Sequence, residues 1–440
     1  MKQPITQTGY SAARNGLRIS RSALLMLLFG AGWAFAVHFF GAIYGSELLA
    51  IALLPTLKPL RLIETNADLR RVLTAYGLIL LGLVVADFAN ATAFNLALKG
   101  WANPILAGVS LIFVTMALGK DPVANVKYYL FASFLANLVL GNGAYSVTGV
   151  SGGDNSWADI AENENLLKVR VVPFLMPLLA LSIFHLRKRW RLAAQLIGLA
   201  TAGFLFSYDA RSAGLVAFAM TLAVTVFRRP RQIHAKQLFS ILGVGLIGGY
   251  LAYAGYVYYS LNYNSDGHNA TQLSLVKNPY NPVMLLGIGR PEWLVAPDVL
   301  AEKPILGYGS WAEDKDQRFA LIRAILTDTV DIYNATSGER HYWIPTHSVV
   351  LTSWIWGGLI GLFGALLLVA TLLRLTVKAL NARPEALVFI TYFATGLLWD
   401  LFFSPLQSLR LTAPIALGFL IAVADSYSPR APRSTRDLPP

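Results

Sequence analysis

"HSVVLTSWIWGGLIGLFGALLLVATLL", residues 347–373, runs for 27 positions without an Asp, Glu, Lys or Arg. About 18 such residues already suffice to cross the ~30 Å hydrocarbon layer of a bilayer as a helix. The pattern recurs along the chain. Apolar residues make up 55% of the 440 residues and charged ones 14%, the composition of a chain whose solvent is largely lipid. The expected fold class is an all-α polytopic membrane protein of about 12 transmembrane helices. The expected spans are 22–38, 42–57, 72–94, 103–119, 126–145, 169–186, 190–208, 211–227, 237–260, 347–373, 385–401 and 407–425. They form a single transmembrane domain, 1–425, with one large, partly helical loop at about 261–346 between spans nine and ten. The Pro-, Ser- and Arg-rich stretch in 426–440 reads as a disordered cytoplasmic tail.

The formal net charge of +12 commonly suggests nucleic acid, but the basic residues sit between apolar blocks, as in "RKRWR" (187–191) and "RRPRQIHAK" (228–236). There they set topology and meet anionic membrane lipid, so no nucleic-acid partner is expected. About two thirds of the 36 Lys and Arg fall on the side of the two termini. Both termini are therefore expected in the cytoplasm and the long loop on the far side. Ala34-Phe35-Ala36 faintly resembles a signal-peptidase site, but a second apolar block follows at once, which favours an uncleaved helix. The chain has no cysteine, which excludes disulfides, thiolate metal sites and cysteine nucleophiles.

Three residues carry candidate chemistry. Arg211, in "DARSAGL" (209–215), sits at the junction of spans seven and eight. It either pairs with Asp209 to close the hairpin or points into a cavity and binds phosphate through its planar donors. Arg290, in "GRPEW" (289–293), precedes a short helix expected at 291–302, and either anchors at the interface, pairs with Glu292, or reaches an anion. His347 follows Pro345 and Thr346, a plausible helix cap. It is either an interfacial anchor or a general base, since a helix N-terminus disfavours imidazolium. His341 is a less constrained competitor, and Arg170 and Lys168 are possible additional phosphate ligands. Arg318, Arg323 and Arg340 either contact an anionic glycan or, more simply, coat the loop, in which a second helix is expected at 316–330. Asp314-Lys315-Asp316 has the outline of an Asp-x-Asp metal motif but reads as a solvated acidic helix start, and no metal or other cofactor is expected. Walker, His-Glu-x-x-His and Gly-x-Ser-x-Gly motifs are absent.

In this order, "DARSAGL", "GRPEW" with "KPILGYG" (303–309), and "HSVVLTSWIWGGLIG" (347–361) resemble the O-antigen ligase and O-antigen polymerase family of bacterial inner-membrane proteins. The resemblance covers roughly residues 170–375, and residues 1–165 share only their several spans. It implies a GT-C-like membrane glycosyltransferase with its active site on the periplasmic face. Such an enzyme moves a glycan from undecaprenyl diphosphate to an acceptor hydroxyl, with inversion and without metal. In the ligases the acceptor is lipid A-core; in polymerases of O-antigen or exopolysaccharide repeats it is another lipid-linked glycan. The matching positions assign Arg211 and Arg290 to the diphosphate and His347 to the acceptor proton. Two departures stand out: Ala210 replaces a frequent serine, and Trp356 lies near a position where relatives carry an acid. A transporter or lipid flippase is the rival from another class, with Asp87 and Asp400 as the notable intramembrane charges.

Overall fold

In the computed structural model, the structure describes residues 19–39, 41–140, 171–208, 210–227, 235–263, 273–274, 278–281, 292–314, 344 and 347–426. Helix α1 is Arg21–Gly32, capped by the Ser20 hydroxyl, which accepts from the Ala23 amide. Strands β1 (Ala36–Phe39) and β2 (Gly41–Tyr44) pair antiparallel, Ala36 opposite Tyr44. The helices that follow are α2 (Gly45–Leu53), α3 (Pro59–Thr65), α4 (Ala67–Ala89), α5 (Phe94–Leu118) and α6 (Pro122–Leu140). Next come α7 (Val172–Leu186), α8 (Arg191–Ser207), α9 (Arg211–Val226), α10 (Ala235–Tyr263) and α11 (Glu292–Glu302). The chain ends in α12 (Val349–Ala382), α13 (Leu387–Phe403) and α14 (Ser408–Asp425).

Among the described residues, six helices, α4, α5, α6, α12, α13 with the short turn before it, and α14, are long and apolar enough to cross a membrane; α1, α2 with the turn after it, α7, α8 and α9 are apolar but shorter. Leu81, Ile105, Leu135, Phe363 and Leu373 are exposed on these helices, as expected where lipid is the neighbour. The protein is a helical membrane protein. The expected span 22–38 is corrected: α1 stops at Gly32, and residues 36–44 form the hairpin, so the fold is not purely helical. Those nine residues are rich in β-branched and aromatic side chains, which suit paired strands as well as they suit an apolar helix. Span three starts five residues earlier than expected, at Ala67, because the Asn66 side chain caps it by accepting from Leu69. The expected helix 316–330 and the tail 427–440 lie outside the described residues.

The two ends of the bundle are held by charge. At one end Asp68 meets Lys378 at 2.7 Å, Arg71 at 3.1 Å and Arg374 at 3.5 Å, joining α4 to α12. Arg383 bonds Ser426 and pairs with Glu385, whose carbonyl accepts from Arg187. Arg191 donates to the Val224 and Thr225 carbonyls, so the end of α9 lies at this level too. At the opposite end Arg410 of α14 clasps Glu47 of α2 through both oxygens and donates to the Ala42 carbonyl of the hairpin. The Glu47 side chain is wholly buried and Arg410 only 11% exposed.

Helix α12 is broken. Gly358 has φ 62° and ψ −159°, outside the helical region. In an unbroken helix the Leu359 amide would bond the Ile355 carbonyl. Here Leu359 donates to Ile305, while Ile355 accepts from Tyr308 and Trp356 from Gly309. The segment 305–309 is thus spliced into the gap, and the backbone groups freed at the break find partners. The same segment is tied to the α4–α5 turn. Lys303 donates to Asn90, Asn90 donates to the Gly307 carbonyl, and Ser310 donates its amide and hydroxyl to Asp87. Below the break, α12 lies directly against α4: a Cβ at Gly82 would sit 2.6 Å from the Gly357 carbonyl oxygen.

Candidate functional site

The two expected site residues that are described, Arg211 and His347, lie where helices begin. Arg211 is the first residue of α9, after Ala210. Its guanidinium stands over the Tyr256 ring, 5.8 Å from the centroid, and reaches the Tyr256 hydroxyl at 3.5 Å. Arg211 is thus engaged by an aromatic of α10; Asp209, the alternative partner, lies outside the described residues. His347 is exposed and precedes α12. The capping expectation is corrected: the cap is Ser348, whose hydroxyl accepts from the Leu351 amide at 3.2 Å, and Thr346 lies outside the described residues. The histidine is therefore one residue outside the cap. Arg290, Arg170, Lys168, His341, Arg318, Arg323 and Arg340 lie outside the described residues.

Arg211 and His347 share one end of the bundle. Residue Ser348 donates its hydroxyl to the Leu401 carbonyl, which puts the start of α12 beside the last turn of α13. The start of α13 lies at the Arg187 end, as does the end of α9, so the Arg211 end is the Phe403 end. Trp293 of α11 donates to the Phe402 carbonyl and stacks on the Phe402 ring, so the short loop helix lies over the same place.

A cavity of about 1100 Å³ opens between α5, α6, α7, α9, α13 and α14. Ser212, next to Arg211, lines it, together with Lys99, Trp311, Asp400, Gln407 and Arg410. Most of the remaining wall is apolar, including Leu106, Met176, Val216 and Phe393. A volume of this size suits a ligand larger than a typical small molecule. The charge of Arg410 is answered by Glu47, whereas Lys99 has no carboxylate within salt-bridge distance among the described residues. Trp311 packs on Trp356 at 5.4 Å between centroids, and Trp356 is buried. Trp356 thus packs against Trp311, which lines the cavity.

The two intramembrane aspartates have different surroundings. Asp87 is buried and accepts from Trp101, at 2.7 Å, and from Ser310, so it is consumed in holding the loop. Asp400 faces the cavity and accepts from Ser404 at 2.8 Å and Thr412 at 2.7 Å. Asp314 is buried, Asp316 lies outside the described residues, and no group of three His, Asp or Glu side chains stands together among the described residues.

Sequence reasoning missed the cavity's contributions from the first 140 residues. Lys99 was legible as the cation between two apolar blocks, and Arg410 as a charge inside one, which by itself marks a position of interest. Their convergence with Ser212 depends on packing between helices far apart in sequence, which no local pattern encodes. No protein-family model and no curated protein sequence matches the chain.

Proposed function

We propose that the protein is a membrane glycosyltransferase of the O-antigen ligase type in a bacterial inner membrane, with the Arg211 end of the bundle facing the periplasm. The observation that carries the reading is that Arg211 and His347 share one end of the bundle, where Ser212, next to Arg211, lines a large, mainly apolar cavity. The donor is a glycan on undecaprenyl diphosphate, and the acceptor is a hydroxyl of lipid A-core. Arg211 and Arg290 hold the diphosphate. The apolar wall takes the first part of the polyprenyl chain.

In the reaction, the acceptor oxygen attacks the anomeric carbon while His347 takes the hydroxyl proton. The bond between that carbon and the diphosphate oxygen breaks, and undecaprenyl diphosphate leaves with the electron pair. Attack opposite the leaving group inverts the anomeric centre. Negative charge grows on the diphosphate as the bond breaks, and guanidinium groups already in place stabilise it without reorganising. The donor is activated beforehand, so the reaction needs no nucleotide.

The test is transfer by purified protein in lipid, given undecaprenyl-diphosphate glycan with either lipid A-core or a second lipid-linked glycan as acceptor. Product on lipid A-core supports the ligase. Product only on the lipid-linked glycan makes the protein a polymerase. Movement of the donor across the bilayer without any new glycosidic bond makes it a flippase. Full activity of His347→Ala removes the assigned base, and loss of activity on adding a chelator removes the metal-free mechanism.

A further inference from the structure

At the end of the bundle remote from the cavity's polar rim, two cations from different helices meet on one aromatic ring. Lys127 of α6 stands 5.1 Å from the centroid of Phe184 on α7, and Arg187, the residue that caps α7, stands 5.0 Å from the same centroid. Phe389 of α13 stacks on that ring at 4.4 Å with an interplanar angle of 14° and so occupies one face. The two charges are accordingly no more than about 10 Å apart, a distance at which like charges near a low-dielectric wall repel appreciably.

Little on the protein offsets that repulsion. Lys127 has no carboxylate within salt-bridge distance among the described residues. Arg187 donates to the backbone carbonyl of Glu385, while the Glu385 carboxylate pairs with Arg383 at 3.2 Å. The Nε of Arg187 is buried without a hydrogen-bond partner among the described residues. Burial pulls the guanidinium below its ordinary range, and Glu385 acts in the opposite direction. Lys188, Arg189 and Trp190 follow and are exposed. Trp at such a level is typical of the membrane interface.

We propose that Lys127 and Arg187 form a binding site for the phosphodiester headgroup of an anionic phospholipid, with acyl chains lying along the apolar surface of α6 and α7. One phosphate between the two cations removes their mutual repulsion. The ring beneath keeps both side chains from folding away. Leu135, Leu138 and Leu178 are exposed on the two helices and present hydrocarbon to the chains.

The experiment is native mass spectrometry of the full-length protein released from bilayers of phosphatidylcholine doped with phosphatidylglycerol. Wild type is expected to retain phosphatidylglycerol in preference to phosphatidylcholine. The double variant Lys127→Gln, Arg187→Gln should bind it about tenfold or more weakly, the scale on which two basic contacts act, and Lys127→Arg should restore binding to an otherwise single Lys127→Gln defect. Arg61→Gln makes the same charge change at an exposed site on α3 and should leave binding unchanged. No preference in wild type, an unaltered preference in the double variant, or an equal loss with Arg61→Gln overturns the site. Competition by millimolar inorganic phosphate with no dependence on acyl chains would assign the cations to a soluble anion and overturn the lipid.

Discussion

A histidine one residue outside a helix cap and an arginine opening another helix have different tolerances. If His347 takes the acceptor proton, His347→Ala should lower kcat by roughly 10² to 10⁴, the range of general-base catalysis, with little change in donor KM. Wild-type activity should rise with pH as the imidazole loses its proton, because the base works in the neutral form. That rise should vanish in the alanine variant; a pH profile of kcat on both proteins checks it. Arg211→Lys keeps the charge but loses the planar fork, and should raise donor KM more than it lowers kcat. Both residues were legible as polar positions at the ends of apolar runs. The cap was misread by two residues because Thr346 and Ser348 are equally good cap types. Only the extended backbone of Ser348, φ −145° and ψ 126°, decides between them.

Among the elements, the hairpin and the broken helix were the least legible. Residues 36–44 carry the same apolar composition as the helices around them, and what makes them strands is a distant partner: Arg410 takes the Ala42 carbonyl and both oxygens of Glu47. Glu47→Ala leaves that guanidinium nearly buried and unpaired, and should destabilise the protein by about 3 to 5 kcal/mol, seen as a lower thermal midpoint in detergent. Replacing both partners with apolar residues should recover most of the loss. Gly358 was read as part of a continuous span, since a glycine in an apolar run has no local sign of a positive φ. Gly358→Ala is strained in that conformation, and its Cβ would meet the Ile305 carbonyl oxygen at 2.0 Å. It should cost more than about 1 to 2 kcal/mol and detach the 305–309 segment. Faster hydrogen exchange at the Leu359 and Tyr308 amides would report that detachment.

Across the whole molecule, the succession of apolar blocks was readable, because each must satisfy its own backbone hydrogen bonds in lipid, but their ends were not: the first helix stops at Gly32 and α12 runs on to Ala382. Which blocks touch was not readable: α4 lies on α12, nearly three hundred residues later in the chain, through glycines that any helix could contain. The distribution of Lys and Arg predicts an orientation with both termini in the cytoplasm, and the lack of cysteine in the sequence makes it simple to test. Single substitutions Gln407→Cys and Lys188→Cys lie at opposite ends of the bundle, and both side chains are exposed. In intact spheroplasts a membrane-impermeant maleimide should label the first at once and the second only after permeabilisation; the reverse pattern would invert the topology.

The splice at Gly358 also bears on how the chain is made. A helix normally closes its own hydrogen bonds as it enters the bilayer, but the opening turns of α12 remain incomplete until residues 305–309 arrive. That segment is in turn held by Asp87 and Asn90, synthesised more than two hundred residues earlier. The bonding at the break in α12 is therefore complete only when the turn between α4 and α5 is already in place. A chain in which that turn is misplaced leaves the backbone groups at Gly358 without partners, which is costly in an apolar surrounding.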